Sequence, residues 1–437
     1  MPRFTLLAVL VSVLSAQSNP RYIRFSPEGT KGALYAPDSG PAPTIGVLVA
    51  HRTANFMETL ACTELSKRGF LVLCMNPRSD NNEAAVWWND IALDVKTGVK
   101  FLRAQKGVEK IVLWGHSGGG PTTTFYQAVA EQGTGYCNTP EKIVPCDKSL
   151  EGLPPADGVI LVDAHPGNSV NVLRSLNPAV LNDEEVIERN AEPKLDPSLD
   201  ALNPANGYDP HGSRYSTDFK TRYFAAQSRR MNRLIHIASA KYAAMRAGAY
   251  RYSDDDYFPI VQSSGWRLMQ GDVSIHETTA HPRRLLKNDG SIVEEIVRSV
   301  RVPSGAAPGN SFSNTRMQTV RSFLSTNAIR SQDSMDKIAW CSSNNSTPCA
   351  VQNISVPILV APMGGYTFVR DNEIHYDLAK SKDKEYIVIE GAVHSQRPCT
   401  ACEKTPGQYS NTVANFYNYA RDWMNARFRA GASRAKQ

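Results

Sequence analysis

Residues Lys110 to Gly120 read KIVLWGHSGGG. The apolar run Ile111 to Trp114 has the content of a buried strand, and it leads straight into Gly115-His116-Ser117-Gly118-Gly119-Gly120. A serine framed by glycines after a strand predicts a sharp turn into a helix. The glycines remove Cβ atoms that would clash, and the turn holds the serine hydroxyl above the carboxyl edge of a sheet. The free N–H groups and positive end of the new helix then face the same point. The G-x-S-x-G pentapeptide is weak evidence alone; the strand before it makes it informative. A phosphate cradle would need Gly-Lys-Ser/Thr, which the stretch lacks.

On either side of this turn, strands and helices alternate. Thr44 to Ala50, Phe70 to Met75, Gly158 to Val162, Pro357 to Ala361 and Tyr386 to Ile389 read as buried strands, after shorter extended segments at Tyr22 to Phe25 and Gly32 to Tyr35. Helices are predicted over Phe56 to Lys67, Trp87 to Ala104, Asn372 to Lys380 and Asn411 to Phe428; in the second, Ile91, Val95, Val99 and Leu102 step along one face. This rhythm predicts an α/β fold, a doubly wound and mostly parallel sheet. It breaks after Asp163, where the text turns rich in Asn, Asp, Arg and Pro. That stretch contains a long helical pattern over Phe219 to Arg246 and a hairpin turning at Asn288-Asp289-Gly290. The expected organisation is a core of 17–166 and 351–437 interrupted by a mainly helical cap over 167–350.

The 437 residues, 41% hydrophobic and 21% charged, suffice for a large buried core and exclude wholesale disorder. The net charge of +6 is mild, and no Lys/Arg block suggests nucleic acid as a partner. Arg3, the apolar run Phe4 to Leu14 and the small residues Ser15-Ala16 read as a signal peptide over 1–16, too short for a membrane span. The mature chain is then expected to be soluble and secreted, or periplasmic in a bacterium. Local cysteine pairs agree with export: Cys137 with Cys146, Cys341 with Cys349, and Cys399 with Cys402. Cys62 and Cys74 are either a buried thiol pair or a fourth bridge. Zinc at Cys399-x-x-Cys402 is disfavoured because no second CxxC exists. Asn344, Asn345 and Asn353 head glycosylation sequons for a eukaryotic host.

Serine is a poor nucleophile at neutral pH and needs a base, which itself needs an orienting acid. His394 follows the last strand in Glu390-Gly391-Ala392-Val393-His394, on a loop expected to return to the sheet edge. With the elbow after the fifth strand and the histidine after the final one, the sequence resembles the α/β-hydrolase superfamily over about 17–166 and 351–430. The resemblance implies Ser117 as nucleophile and His394 as base. It would place the acid after the penultimate strand, but Pro362 to Phe368 holds no carboxylate. Asp163, Glu373 and Asp371 remain as candidates, with Asp163 preferred because some members of the superfamily use that strand end. The implied oxyanion hole takes one N–H from Gly118 and one from the loop after Ala50, at Thr53. Arg52 could bind an anionic substrate group or serve as a salt-bridge partner, and His116 lies beside the substrate within the elbow. The expected function is a secreted serine hydrolase, without cofactor or metal, acting on a small carboxylic ester or lactone through an acyl-serine. Alternatives are hydrolysis of a carbon–carbon bond in a β-diketone or polyketide-like substrate, and a non-catalytic binding protein on the same scaffold.

Overall fold

Six strands precede the insertion: β1 (Arg21–Arg24), β2 (Lys31–Tyr35), β3 (Ile45–Ala50), β4 (Leu71–Asn76), β5 (Lys110–His116) and β6 (Gly158–Val162). The insertion adds β7 (Ile260–Val261), β8 (Arg283–Leu286), β9 (Ile292–Glu295) and β10 (Thr315–Arg316), and the chain then forms β11 (Ile358–Ala361), β12 (Lys384–Tyr386) and β13 (Val388–Ile389). The computed structural model describes residues 20–269, 276–302 and 315–429. The expected signal peptide, 1–16, lies outside them.

One eight-stranded sheet has the order β1-β2-β4-β3-β5-β6-β11-β12. β2 runs antiparallel to its neighbours, and the strands from β4 to β12 pair in parallel. That order, with the elbow after β5, is the α/β-hydrolase fold. Parallel strands covered on both faces must be apolar throughout, and β3, IGVLVA, is buried at every position. Helices α1 (Leu60–Ser66), α2 (Trp88–Arg103) and α3 (Gly119–Gln132) cover the sheet in the first half of the chain. Ile91, Val95, Val99 and Leu102 of α2 pack with Leu48 and Leu113 on one face.

The insertion carries α4 (Asn168–Ser175), α5 (Asp183–Arg189), α6 (Thr217–Arg246), α7 (Gly265–Met269) and α8 (Val320–Ser322). Ser216 caps α6, its hydroxyl accepting from the Phe219 N–H at 3.1 Å, so the helix begins two residues before its apolar pattern. Val172, Leu173, Met231, Leu234, Phe258 and Phe323 form a core separate from the two on the sheet. After α9 (Thr347–Ala350), the returning chain supplies α10 (Val369–Leu378) and α11 (Thr412–Phe428). Phe416, Ala420 and Trp423 of α11 pack on the sheet face opposite α2.

Three elements differ from expectation, one of them the helix expected over Asn372 to Lys380, which runs Val369–Leu378. The single strand Tyr386 to Ile389 is divided: Tyr386 pairs with Val360 in the main sheet, whereas Val388 and Ile389 pair with Leu285 and Leu286 of the β8–β9 hairpin. The hairpin turns where Asn288-Asp289-Gly290 predicts, but its partner is remote in sequence. The first helix begins at Leu60 rather than Phe56, because Phe56 is buried against His51, with ring centroids 4.6 Å apart.

All eight cysteines are bridged, as Cys62–Cys74, Cys137–Cys146, Cys341–Cys349 and Cys399–Cys402. Asn344 and Asn345 are buried, and the Asn344 amide donates to the Val144 carbonyl at 2.9 Å. Of the three sequon asparagines, the folded chain exposes only Asn353, in part. Among the described residues no helix is long and apolar enough to cross a membrane.

Candidate active site

The register of β5 against β6 sets His116 opposite Val162. The next residue of each strand, Ser117 and Asp163, therefore arrives at the same carboxyl edge. Both leave their strand in the left-handed region, at φ 55° for Ser117 and 42° for Asp163. That conformation is unfavourable for residues with a Cβ and is seen where surrounding structure enforces it. At the elbow the enforcement is visible. Ser117 N–H donates to the Val162 carbonyl at 3.1 Å, and α3 starts so close to β3 that a Cβ on Gly119 would meet the Ala50 carbonyl oxygen at 2.4 Å.

Ser117, Asp163 and His394 come together. Asp163 is fully buried; its Oδ1 accepts from the Met363 N–H at 3.1 Å, and its Oδ2 accepts from His394 Nδ1 at 2.5 Å. The remaining nitrogen of His394, Nε2, faces Ser117 Oγ at 2.9 Å and can accept the hydroxyl proton. Tyr366 stacks on the His394 ring, with centroids 4.4 Å apart. The loop is fastened by Val393 N–H to the Arg397 carbonyl, by Cys399 N–H to the Gly391 carbonyl, and by the Cys399–Cys402 bridge.

The other acid candidates are engaged elsewhere. Asp371 accepts two bonds from Arg174 Nη1, at 3.0 and 3.2 Å, and lies 2.7 Å from His276 Nε2. Glu373 accepts from the N–H groups of Ala280 and His281 and from Arg283 Nε at 2.8 Å. Both carboxylates thus fasten the returning chain to the insertion.

The expected oxyanion hole and substrate contacts need correction. Gly118 opens the helix at φ −63°, and its N–H has no partner among the described backbone bonds. Thr53 cannot supply the second donor, because its N–H points at His51 Nδ1 at 3.2 Å and its hydroxyl donates to Glu83 at 2.6 Å. His116 is not turned to a substrate: its Nε2 donates to the His394 carbonyl at 2.7 Å, which fixes the backbone of that residue. Burial and the neighbouring His394 push the His116 ring down to about 3, so it remains neutral. Arg52 is the salt-bridge partner of Glu83, at 2.7 Å. Arg316 approaches the same Glu83 at 3.2 Å, so the trio keeps one positive charge.

His165 was not anticipated. It lies two residues past Asp163, and the sequence offers the residue but no sign of its ring's direction. Burial first, then the charge of Arg52, push both His51 and His165 well below the ordinary imidazole value.

No family model matches the chain, and no curated protein matches it. Among solved structures, it is similar to the α/β hydrolase GrgF from Penicillium sp. sh18, at 13% identity over 94% of this chain and 99% of that one, with a TM-score of 0.41. It is also similar to Est1E from Butyrivibrio proteoclasticus, at 10% identity over 93% of this chain and 100% of that one, TM-score 0.37. DcsB, solved with its substrate analogue, gives 12% identity over 94% of this chain and 100% of that one, TM-score 0.40. Likeness at this level concerns the course of the chain and not its chemistry. Strand order, elbow and the convergence of β5, β6 and the late loop make this an α/β-hydrolase-fold protein.

Proposed function

We propose that the chain is a serine hydrolase cleaving a carboxylic ester or lactone through an acyl-enzyme at Ser117. The reading is carried by one observation, the line of two short contacts from Asp163 Oδ2 through His394 to Ser117 Oγ, 2.5 and 2.9 Å. Along it, Ser117 Oγ attacks the carbonyl carbon and its proton passes to His394 Nε2, while buried Asp163 stabilises the imidazolium. Collapse of the tetrahedral intermediate breaks the carbon–oxygen bond, and the imidazolium returns the proton to the departing alkoxide. Water then repeats the sequence on the acyl-enzyme, with His394 as base, and frees Ser117. Residues 167–350 are read as the cap that shapes the acyl pocket. Export to an oxidising compartment belongs to the same reading and is supported by four disulfides.

The test is a panel of p-nitrophenyl esters of graded acyl length, plus lactones, assayed with the wild type and Ser117→Ala. Wild-type turnover of at least one class, lost in the variant, is the expected result. A folded wild type that cleaves none of them, or a Ser117→Ala variant that cleaves as well, contradicts it.

A further inference from the structure

His51 and His165 are buried, and each has its tautomer fixed. His51 Nδ1 accepts from the N–H groups of Thr53 and Ala54, at 3.2 and 3.0 Å. His165 Nδ1 accepts from the Gly167 N–H at 3.2 Å. A neutral ring that accepts at Nδ1 carries its proton on Nε2. Both Nε2–H groups are thus donors, and neither has a partner among the described residues.

The two donors converge. A Cβ placed on Gly118 would lie 2.5 Å from His51 Nε2 and 3.1 Å from His165 Nε2. At the φ of Gly118, −63°, an amide N–H is nearly eclipsed with the direction of the absent Cβ. The unpartnered Gly118 N–H therefore opens onto the same side as the two imidazoles, next to Ser117. This accounts for glycine at 118 and for the arrangement at Thr53, whose N–H orients the His51 ring instead of facing the substrate.

We propose that His51 and His165 donate their Nε2–H groups, with the Gly118 N–H, to the substrate's carbonyl oxygen as it becomes an oxyanion. This rests on the serine hydrolase reading. As the Ser117 Oγ–carbon bond forms, the carbonyl π pair moves onto oxygen and is met by three N–H donors. No proton leaves either ring. On collapse the π bond returns and the carbon–alkoxide bond breaks. Donors fixed in place before the charge develops need no reorganisation, which is the basis of oxyanion-hole catalysis. Burial and the Arg52 charge keep both rings neutral, and a neutral imidazole can donate without giving up its proton. Phe56 stacked on His51, with centroids 4.6 Å apart, and Phe368 edge-on to His165 at 6.1 Å hold the rings.

The test compares wild type, His165→Phe, His165→Met and His165→Gln on the best p-nitrophenyl ester. It also uses a trifluoromethyl ketone, which forms a hemiketal oxyanion with the serine, and its methyl ketone counterpart, which does not. Loss of the donor in His165→Phe and His165→Met should lower kcat roughly 100-fold or more with KM little changed. It should weaken the trifluoromethyl ketone by a similar factor and leave the methyl ketone as it was. His165→Gln, which keeps an N–H, should recover part of both losses. Thermal melting identifies a variant that has not folded, and either non-donor variant decides if the other fails. Retention of wild-type kcat in the non-donor variants overturns the proposal, as does an equal loss of both ketones, which marks a structural role. Fluorophosphonate labelling of wild-type Ser117 separates the failures: labelled protein with unaffected variants sinks the imidazole donors alone, and unlabelled protein sinks the hydrolase reading and this proposal with it.

Discussion

Asp163 leaves β6 with φ at 42° and no exposure, so its carboxylate is committed to Met363 and His394 before any substrate arrives. Asp163→Asn should keep the fold and lower kcat by about 10⁴-fold, because the amide favours the wrong His394 tautomer. Glu373→Gln, far from the reacting hydroxyl in its bonding, should leave kcat within an order of magnitude. The pH profile follows from the other imidazoles. Burial and the neighbouring His394 push His116 down to about 3, and burial holds His51 and His165 far below the ordinary value. With these three rings neutral, the acid limb of kcat/KM should have unit slope; a slope of two would show one of them taking up a proton as well. The meeting of Ser117 with His394 was legible because each sits in a local context, a strand entering a glycine turn and a loop leaving the last strand. The direction of the Thr53 amide, toward His51 Nδ1, was not legible, because an offset along the chain does not say where an amide points.

At the scale of elements, the link between α4 and α10 is a buried ion pair, Arg174 with Asp371. Burial alone would raise the Asp371 carboxyl, but Arg174 and His276 beside it hold it well below the usual carboxylate range. A depressed folded-state pKa means stability that is present at neutral pH and lost as pH falls below the unfolded value of about 3.9. Asp371→Asn strands a buried guanidinium, so it should cost about 3–5 kcal/mol in denaturant unfolding at pH 7. That difference should shrink as the wild-type aspartate is protonated in acid. Strands of the main sheet were readable as apolar runs because both of their faces are covered. The division of Tyr386 to Ile389 was not, since Val388 and Ile389 are as apolar as the strand before them and only the distant hairpin, through Leu285 and Leu286, draws them away.

Across the whole molecule, the alternation of strands and helices and its interruption after Asp163 were visible as a change of rhythm. The insertion's own core was not, because Val172, Met231, Phe258 and Phe323 come from segments with no common pattern. Its packing depends on contacts between remote parts of the chain. One bridge, Cys62–Cys74, ties α1 to β4 across 12 residues. Closing a loop of that size contributes roughly 3 kcal/mol through the unfolded chain, so a Cys62→Ala, Cys74→Ala double variant should lower the unfolding free energy by about that amount while keeping turnover. Loss of turnover with the fold retained would give the bridge a second role.

The central claim is that Ser117 is a nucleophile activated by His394, and labelling tests it most directly. Wild-type protein treated with a fluorophosphonate and digested for mass spectrometry should carry the adduct on the peptide containing Ser117, and His394→Ala should label far more slowly. Folded wild type left unmodified at Ser117, or labelled equally fast without His394, would contradict the account.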